Sequence, residues 1–347
     1  MSATQIFGAV LATLLFWLMM RARGAQEDQA SVYGLQHGRL HLQLPTAMWM
    51  NMGYWKNATT STTLSEACRD MLNVILAEAG LSSDKGPAAR RRALVDLGFG
   101  CGDQTIYLMS KGPIRACDKD WWDERDCCAT WKHYIGITKD AVQARYASQR
   151  VDELKKKTTK GESPEMEDGG NPTISLSSAD ASKPKSWDKQ LQTKLQHAKD
   201  DTDERWVLAL DTAYHFAPSR WPIIEYAHSE LEANWMAFDL CLSPTATWAQ
   251  KMTLRLLTAL MGAPWANFTT PQGYRERLEQ IGYNPEAITI TDISEHVFVP
   301  LAAFLKEQDD RLKMLGLGLG RFGVAKTMFG WWGRTGVVRG VVVVAKK

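Results

Sequence analysis

Two spacings of apolar residues run through this chain of 347 residues. Short apolar runs, each closed by a polar residue or a turn, occur at 93–95, 133–138, 173–180, 205–211, 235–242, 288–293 and 336–345. Each reads as a strand. Between them lie stretches whose apolar residues stand three and four apart. Residues 64–79 carry Ala67, Met71, Leu72, Ile75 and Leu76 on one helical face, and 247–261 carry Met252, Leu256, Leu257, Leu260 and Met261. Residues 103–109, 274–282 and 297–305 show the same period. Strands alternating with helices predict an α/β protein with a doubly wound, mostly parallel sheet.

Some stretches break the alternation. Residues 111–132 form a charged insert holding Trp121, Trp122, Cys127 and Cys128. Residues 152–203 are poor in apolar side chains and rich in Lys, Glu, Asp and Ser, which predicts mobile surface around the weak strand at 173–180. Within this insert, 183–204 is either an elaborated helix or disordered. Residues 313–332 mix Leu, Phe and Trp with Arg321 and Lys326, but glycines weaken any helix there. That segment packs internally, lies in a membrane interface or closes over a pocket.

Residues 6–20 are an unbroken apolar run followed by Arg21 and Arg23. As a helix it would be roughly 22 Å long, against roughly 30 Å for a hydrocarbon core. The basic residues follow the run and none precedes it, which argues against a signal peptide. Residues 1–23 are therefore read as a membrane anchor, spanning or monotopic, in preference to a plain buried helix, with the body of the protein on the cytosolic side (the endoplasmic reticulum in a eukaryote). Residues 24–86 would supply N-terminal cap helices, and 87–347 the main domain. The sequons at Asn57 and Asn267 offer a check, since a glycan at either would put the body in a lumen.

The chemistry centres on the first strand. Asp96 closes it, Gly98, Gly100 and Gly102 follow, and Asp103 opens a helix. Glycines permit positive φ and close approach of a ligand to the backbone, and a helix N-terminus offers free N–H groups to a carboxylate or phosphate. Dinucleotide folds use G-x-G-x-x-G and P-loops a Lys-Ser/Thr pair; this chain has neither. The D-x-G-x-G-x-G pattern resembles the first motif of the class I S-adenosylmethionine-dependent methyltransferases. That resemblance implies a Rossmann-like, seven-stranded fold whose last strand is antiparallel. It also implies S-adenosylmethionine as cofactor, with its methionine end on Gly98, Gly100 and Gly102, its ammonium on Asp96, and Thr105 assisting at its carboxylate.

A second stretch, Gly136-Ile137-Thr138 with Gln143, Tyr146, Ala147, Arg150 and Val151, is similar to the second motif of the sterol C-methyltransferase and cyclopropane-synthase branch. Thr138 stands where most of the superfamily has an acid, and Gln143 would help to take over the ribose contact. By the same resemblance Asp180 is a candidate for the adenine amino group. Asp211, Tyr214 and His215 follow the fourth strand, where a doubly wound sheet holds its ligands. An unperturbed imidazole titrates near neutrality, so His215 is either a candidate base or a structural histidine bonded to the loop backbone. Tyr54 and Trp55, in a segment resembling the N-x-G-Y-W of small-molecule and lipid methyltransferases, either line the acceptor pocket or pack as core aromatics. The helix at 247–261 would be a lid on the acceptor side.

Composition changes little. The formal charge of +2 gives no case for nucleic acid. Fourteen tryptophans suit apolar pockets and membrane interfaces. Six cysteines (68, 101, 117, 127, 128 and 241) lack zinc spacing and read as reduced thiols, so no metal is expected. The sequence thus predicts a methyltransferase acting on an apolar, lipid-like or secondary-metabolite acceptor at a membrane. The alternative is a non-catalytic scaffold of the same fold, with 152–203 as a partner-binding arm. A nicotinamide-dependent oxidoreductase would need G-x-G-x-x-G and an acid ending the second strand.

Overall fold

The computed structural model describes residues 46–81, 91–109, 131–159, 172–320 and 322–347, and the side chains of 157–159 and 260 are not described. The expected anchor at 1–23 and most of the insert at 111–132 fall outside these residues. Residues 47–307 and 320–347 form one compact unit, and 308–319 fall outside it.

Seven strands make one sheet: β1 Arg92–Leu97, β2 His133–Thr138, β3 Thr173–Ser178, β4 Glu204–Leu210, β5 Asn234–Leu242, β6 Ile288–Asp292 and β7 Val338–Ala345. Their order is β3-β2-β1-β4-β5-β7-β6. β1 to β5 run parallel, and β7 lies antiparallel between β5 and β6. The central strands are buried along nearly their whole length, as a sheet covered on both faces requires. The edge strands β3 and β6 are only half-buried. Strand order reverses between β1 and β4, so the crevice at their carboxyl ends is where a ligand site is expected.

Nine helices are found among the described residues: α1 Leu64–Glu78, α2 Asp103–Met109, α3 Ala141–Thr159, α4 Lys189–Asp200, α5 Trp221–Ser229, α6 Trp248–Leu260, α7 Pro271–Ile281, α8 Phe298–Met314 and α9 Phe322–Thr335. Local chemistry sets their ends. Thr63 and Glu66 form a capping box at α1, Thr247 and Gln250 another at α6. Asp188 caps α4, and Gly282 ends α7 at φ +114°.

Two expectations are corrected. The stretch 152–203, expected from its composition to be mostly mobile surface, holds in its described parts the end of α3, the expected strand β3 and α4, so of the two readings of 183–204 the helical one is observed. Leu191, Leu195 and Ala198 of α4 stand on one face and pack into the main core. The stretch 313–332, where glycines are expected to weaken any helix, holds the end of α8 and, from Phe322, most of α9. Met328 and Trp332 bury its inner face, and a Cβ at Gly333 would strike Val299 of α8. Its glycines therefore allow close helix contact rather than breaking the helix. Among the described residues no helix is long and apolar enough to cross a membrane.

Candidate active site

A cavity of about 520 Å³ opens at the carboxyl ends of β1, β2, β3 and β4, within the usual size range for small-molecule sites. Its floor is the glycine turn. Gly98, Gly100 and Gly102 all have positive φ, at +80°, +61° and +91°. A Cβ at Gly98 would lie 2.8 Å from Thr212 Oγ1, and one at Gly102 2.9 Å from Ala147 Cβ. At Gly100 it would meet only the Met50 side chain, at 3.6 Å. Gly98 and Gly102 are thus required by packing, whereas Gly100 leaves bare backbone on the cavity wall.

Asp103 begins α2 and lines the cavity. Its carboxylate holds the Arg150 guanidinium in two bonds, at 2.7 and 3.0 Å, and Arg150 also donates to the Cys101 carbonyl at 2.8 Å. This fork ties the glycine turn to α3 and explains the arginine of the second motif. It also means the start of α2 already carries a carboxylate, so the expected anion site there is filled from within. Both partners are largely buried. Arg150→Met strands the Asp103 charge and should cost about 3 kcal/mol. A melting curve of the variant checks this, and a wild-type melting temperature would contradict it.

Asp96 and Thr105 do not reach the cavity. Both Asp96 oxygens accept from Gln104 Nε2, at 2.7 and 2.8 Å, and the Tyr134 hydroxyl donates to Oδ2. Thr105 bonds the same tyrosine at 2.8 Å. Burial pushes the Asp96 carboxyl up to about 6 against the pull of Tyr134 and Gln104. The expected ammonium and carboxylate contacts are replaced by a buried network, with Gln104 between Asp96 and the cavity.

Thr138, Gln143 and Asp180 do line the cavity. Thr138 Oγ1 lies 3.4 Å from Gln143 Oε1. Asp180 accepts from the Ser182 amide at 3.0 Å and hydroxyl at 2.6 Å, with Lys139 Nζ at 3.4 Å. Burial raises its pKa, but these partners outweigh it and the net shift is downward.

Asp211, Tyr214 and His215 converge on the cavity from the loop after β4. Asp211 sits at φ +58°, unusual for a residue with a side chain. Its Oδ2 accepts the Met52 amide at 2.8 Å. Its Oδ1 is shielded from solvent and takes no well-formed hydrogen bond, although the Tyr214 hydroxyl stands near enough to favour the charge. Burial pushes this carboxyl up to about 8; Tyr214 and the Met52 amide pull it down, and Asp239 adds to the rise. The His215 ring packs on Tyr214 at 4.2 Å, and the residue as a whole is exposed. Partial burial lowers its pKa, with a bond to the Gly262 backbone opposing.

Tyr54 and Trp55 are not on the cavity wall. Trp55 is buried, donates to the Met52 carbonyl at 2.9 Å and packs on Phe304; Tyr54 packs on His296. The residues just before them, Met48, Trp49, Met50 and Asn51, form the roof instead. Asn51 Nδ2 donates to the Cys68 carbonyl at 3.1 Å, which with the Met52–Asp211 bond pins this segment over the site.

Beneath the β4 loop lies a fully buried group that sequence reasoning missed. Asn267 Nδ2 donates to the carbonyls of Tyr214 and Phe216, each at 2.9 Å, and its Oδ1 accepts the Arg220 amide at 2.8 Å. Arg220 pairs with Asp239, which the Tyr274 hydroxyl also reaches at 3.2 Å. Asn267 is therefore no glycan acceptor in the folded chain, and only the exposed Asn57 keeps that topology check open. At the opposite end of β2, ligand atoms of His133, His197 and Asp201 come within 4.8 Å of one another. Lys132 Nζ already bonds Asp201 at 2.7 Å and, with His133, holds that carboxyl down at about 2.

No family model matches the chain, and no curated protein matches its sequence. Solved structures do match its fold. A putative sarcosine dimethylglycine methyltransferase from Galdieria sulphuraria is 12% identical with a TM-score of 0.55, over 86% of this chain and 93% of that one. Geranyl diphosphate C-methyltransferase from Streptomyces coelicolor A3(2), solved with Mg2+, geranyl diphosphate and S-adenosyl-L-homocysteine, is 13% identical with a TM-score of 0.51, over 91% and 99%. A cyclopropane synthase from Mycobacterium tuberculosis is 14% identical with a TM-score of 0.51, over 85% and 89%. The fold is that of the class I methyltransferases.

Proposed function

We propose that this protein is an S-adenosylmethionine-dependent methyltransferase acting on an apolar small molecule. The observation that carries the proposal is the pairing, across one cavity, of a bare Gly100 backbone with the unpartnered Oδ1 of Asp211. The cavity suits the cofactor at each end. Gly98 to Cys101 offer backbone to its amino-acid portion, and Asp211 offers a shielded carboxylate to a cation. Thr138 and Gln143 would hold the ribose hydroxyls, and Asp180 the adenine amino group. The bound cofactor supplies an electrophilic methyl group on a sulfonium. The chain's own contribution is to orient the two reactants and exclude water, with Met48, Trp49 and Met50 as roof. His215, on the rim beside Tyr214, is placed to take a proton from an acceptor that must lose one.

The geranyl diphosphate enzyme and the cyclopropane synthase, both of this fold, support an acceptor with a hydrocarbon portion. Membrane attachment through residues 6–20 and a cytosolic active site belong to the same proposal. The decisive experiment is calorimetric titration of the full chain with S-adenosylmethionine and, separately, with NAD. Micromolar binding of the first and none of the second is expected. Folded protein that binds neither would sink the proposal and leave the scaffold reading. Once an acceptor is in hand, His215→Ala should slow transfer about 100-fold while leaving cofactor affinity unchanged. Wild-type turnover would reduce His215 to a structural residue.

A further inference from the structure

Helix α6 turns its large apolar side chains outward. Trp248, Met252 and Leu256 stand four residues apart and form one stripe, with 77%, 45% and 65% of their surface exposed. Its inward side is made by Leu254 and Thr258, both fully buried. A surface helix ordinarily faces its apolar stripe to the core, so this one is built to be covered. The edge of the stripe is basic: Arg255 is exposed and Lys251 half-buried. No Asp or Glu occurs anywhere from 240 to 275. The helix also leads to the cavity, because the Gly262 backbone just beyond it bonds the imidazole of His215 on the rim.

From this we infer that the outer face of α6 docks on an anionic lipid surface, beside the mouth of the cavity. Indole favours the membrane interface, while Met252 and Leu256 are long enough to enter the acyl region. Arg255 and Lys251 then meet acidic headgroups, and the long acid-free stretch removes the repulsion that would oppose this. An apolar acceptor could thus pass from bilayer to cavity without crossing water. That consequence rests on the methyltransferase reading; the docking itself does not.

The test isolates α6 from any other membrane contact. The fluorescence that Trp248→Phe removes from the full chain is the signal of Trp248. Vesicles of phosphatidylcholine and phosphatidylserine with brominated acyl chains should quench that signal roughly twofold. Pure phosphatidylcholine, or high salt, should largely abolish the quenching. A Trp248 signal unchanged by the mixed vesicles would overturn the inference, as would equal quenching by pure phosphatidylcholine. Self-association without vesicles that Leu256→Glu abolishes would assign the face to a second copy of the chain, and so overturn it too. Neither cofactor nor acceptor is present in these measurements. Failure to bind S-adenosylmethionine would therefore leave this result standing, and the reverse.

Discussion

Replacing Gly100 with valine should leave a folded protein that no longer binds S-adenosylmethionine. The backbone at Gly100 has φ +61°, which a β-branched residue adopts at a cost of about 2 kcal/mol. That is a modest part of the 5–15 kcal/mol typical of a stable domain. Space is available, since a Cβ there meets only the exposed, flexible Met50 side chain. The new methyl groups would stand where the ligand must approach the backbone, so affinity should fall at least about 100-fold. Gly102→Val makes the contrast. Its Cβ would come 2.9 Å from Ala147 Cβ and 3.2 Å from Ala147 Cα, so α3 itself would have to move. That variant should lose the fold, or melt at least about 10 °C lower. Circular dichroism melts and calorimetric titration of both variants separate the two roles. A folded Gly100→Val protein with wild-type affinity would remove the cofactor from this loop.

The sheet was legible because its strands are short apolar runs with polar ends, and buried parallel strands have few other ways to be written. The glycine turn and the 136–151 stretch were legible for a similar reason, as local patterns with a local cause. Thr138, Gln143, Asp180, Asp211, Tyr214 and His215 all came to one cavity because each stands at or just after a strand's carboxyl end. What failed depended on partners far off in sequence. Nothing near Asp96 tells that Tyr134, 38 residues on, will take its oxygen. Nor does the aromatic pair Tyr54-Trp55 reveal that Phe304 and His296 will claim it. The order of α4 was hidden by composition, since its three inward residues, Leu191, Leu195 and Ala198, lie among many charges. The period was there; the average concealed it. Asn267 was seen only as a sequon, because a buried amide that ties two carbonyls has no sequence signature.

Asp211→Asn should make the protein more stable and nearly blind to its cofactor. The carboxyl's pKa rises on folding from 3.8 to about 8, chiefly through burial. A raised acid binds its proton more tightly when folded, so its contribution to stability is greatest below the unfolded value. That contribution falls as pH climbs from about 4 to about 8. At pH 8 the wild-type chain therefore carries the largest share of this cost, and an uncharged side chain removes it. Asparagine also tolerates φ +58° and keeps an oxygen for the Met52 amide. We expect a melting temperature about 3–6 °C higher at pH 8, with little difference at pH 4. Binding should move the opposite way. A cationic ligand selects the ionised carboxylate, so wild-type affinity should rise with pH up to about 8 and binding should release a proton below it. In the variant that pH dependence should vanish and affinity fall about 100-fold. Calorimetry in buffers of different ionisation enthalpy reads the proton release directly. A stabilised variant with full, pH-dependent affinity would show that some other group receives the cation. An unchanged melting curve would show that the carboxylate is not buried at a cost. The opposed outcomes follow from one feature: a buried carboxylate whose partners, the Met52 amide and the Tyr214 hydroxyl, are both neutral, which costs stability until a cationic ligand supplies the opposite charge.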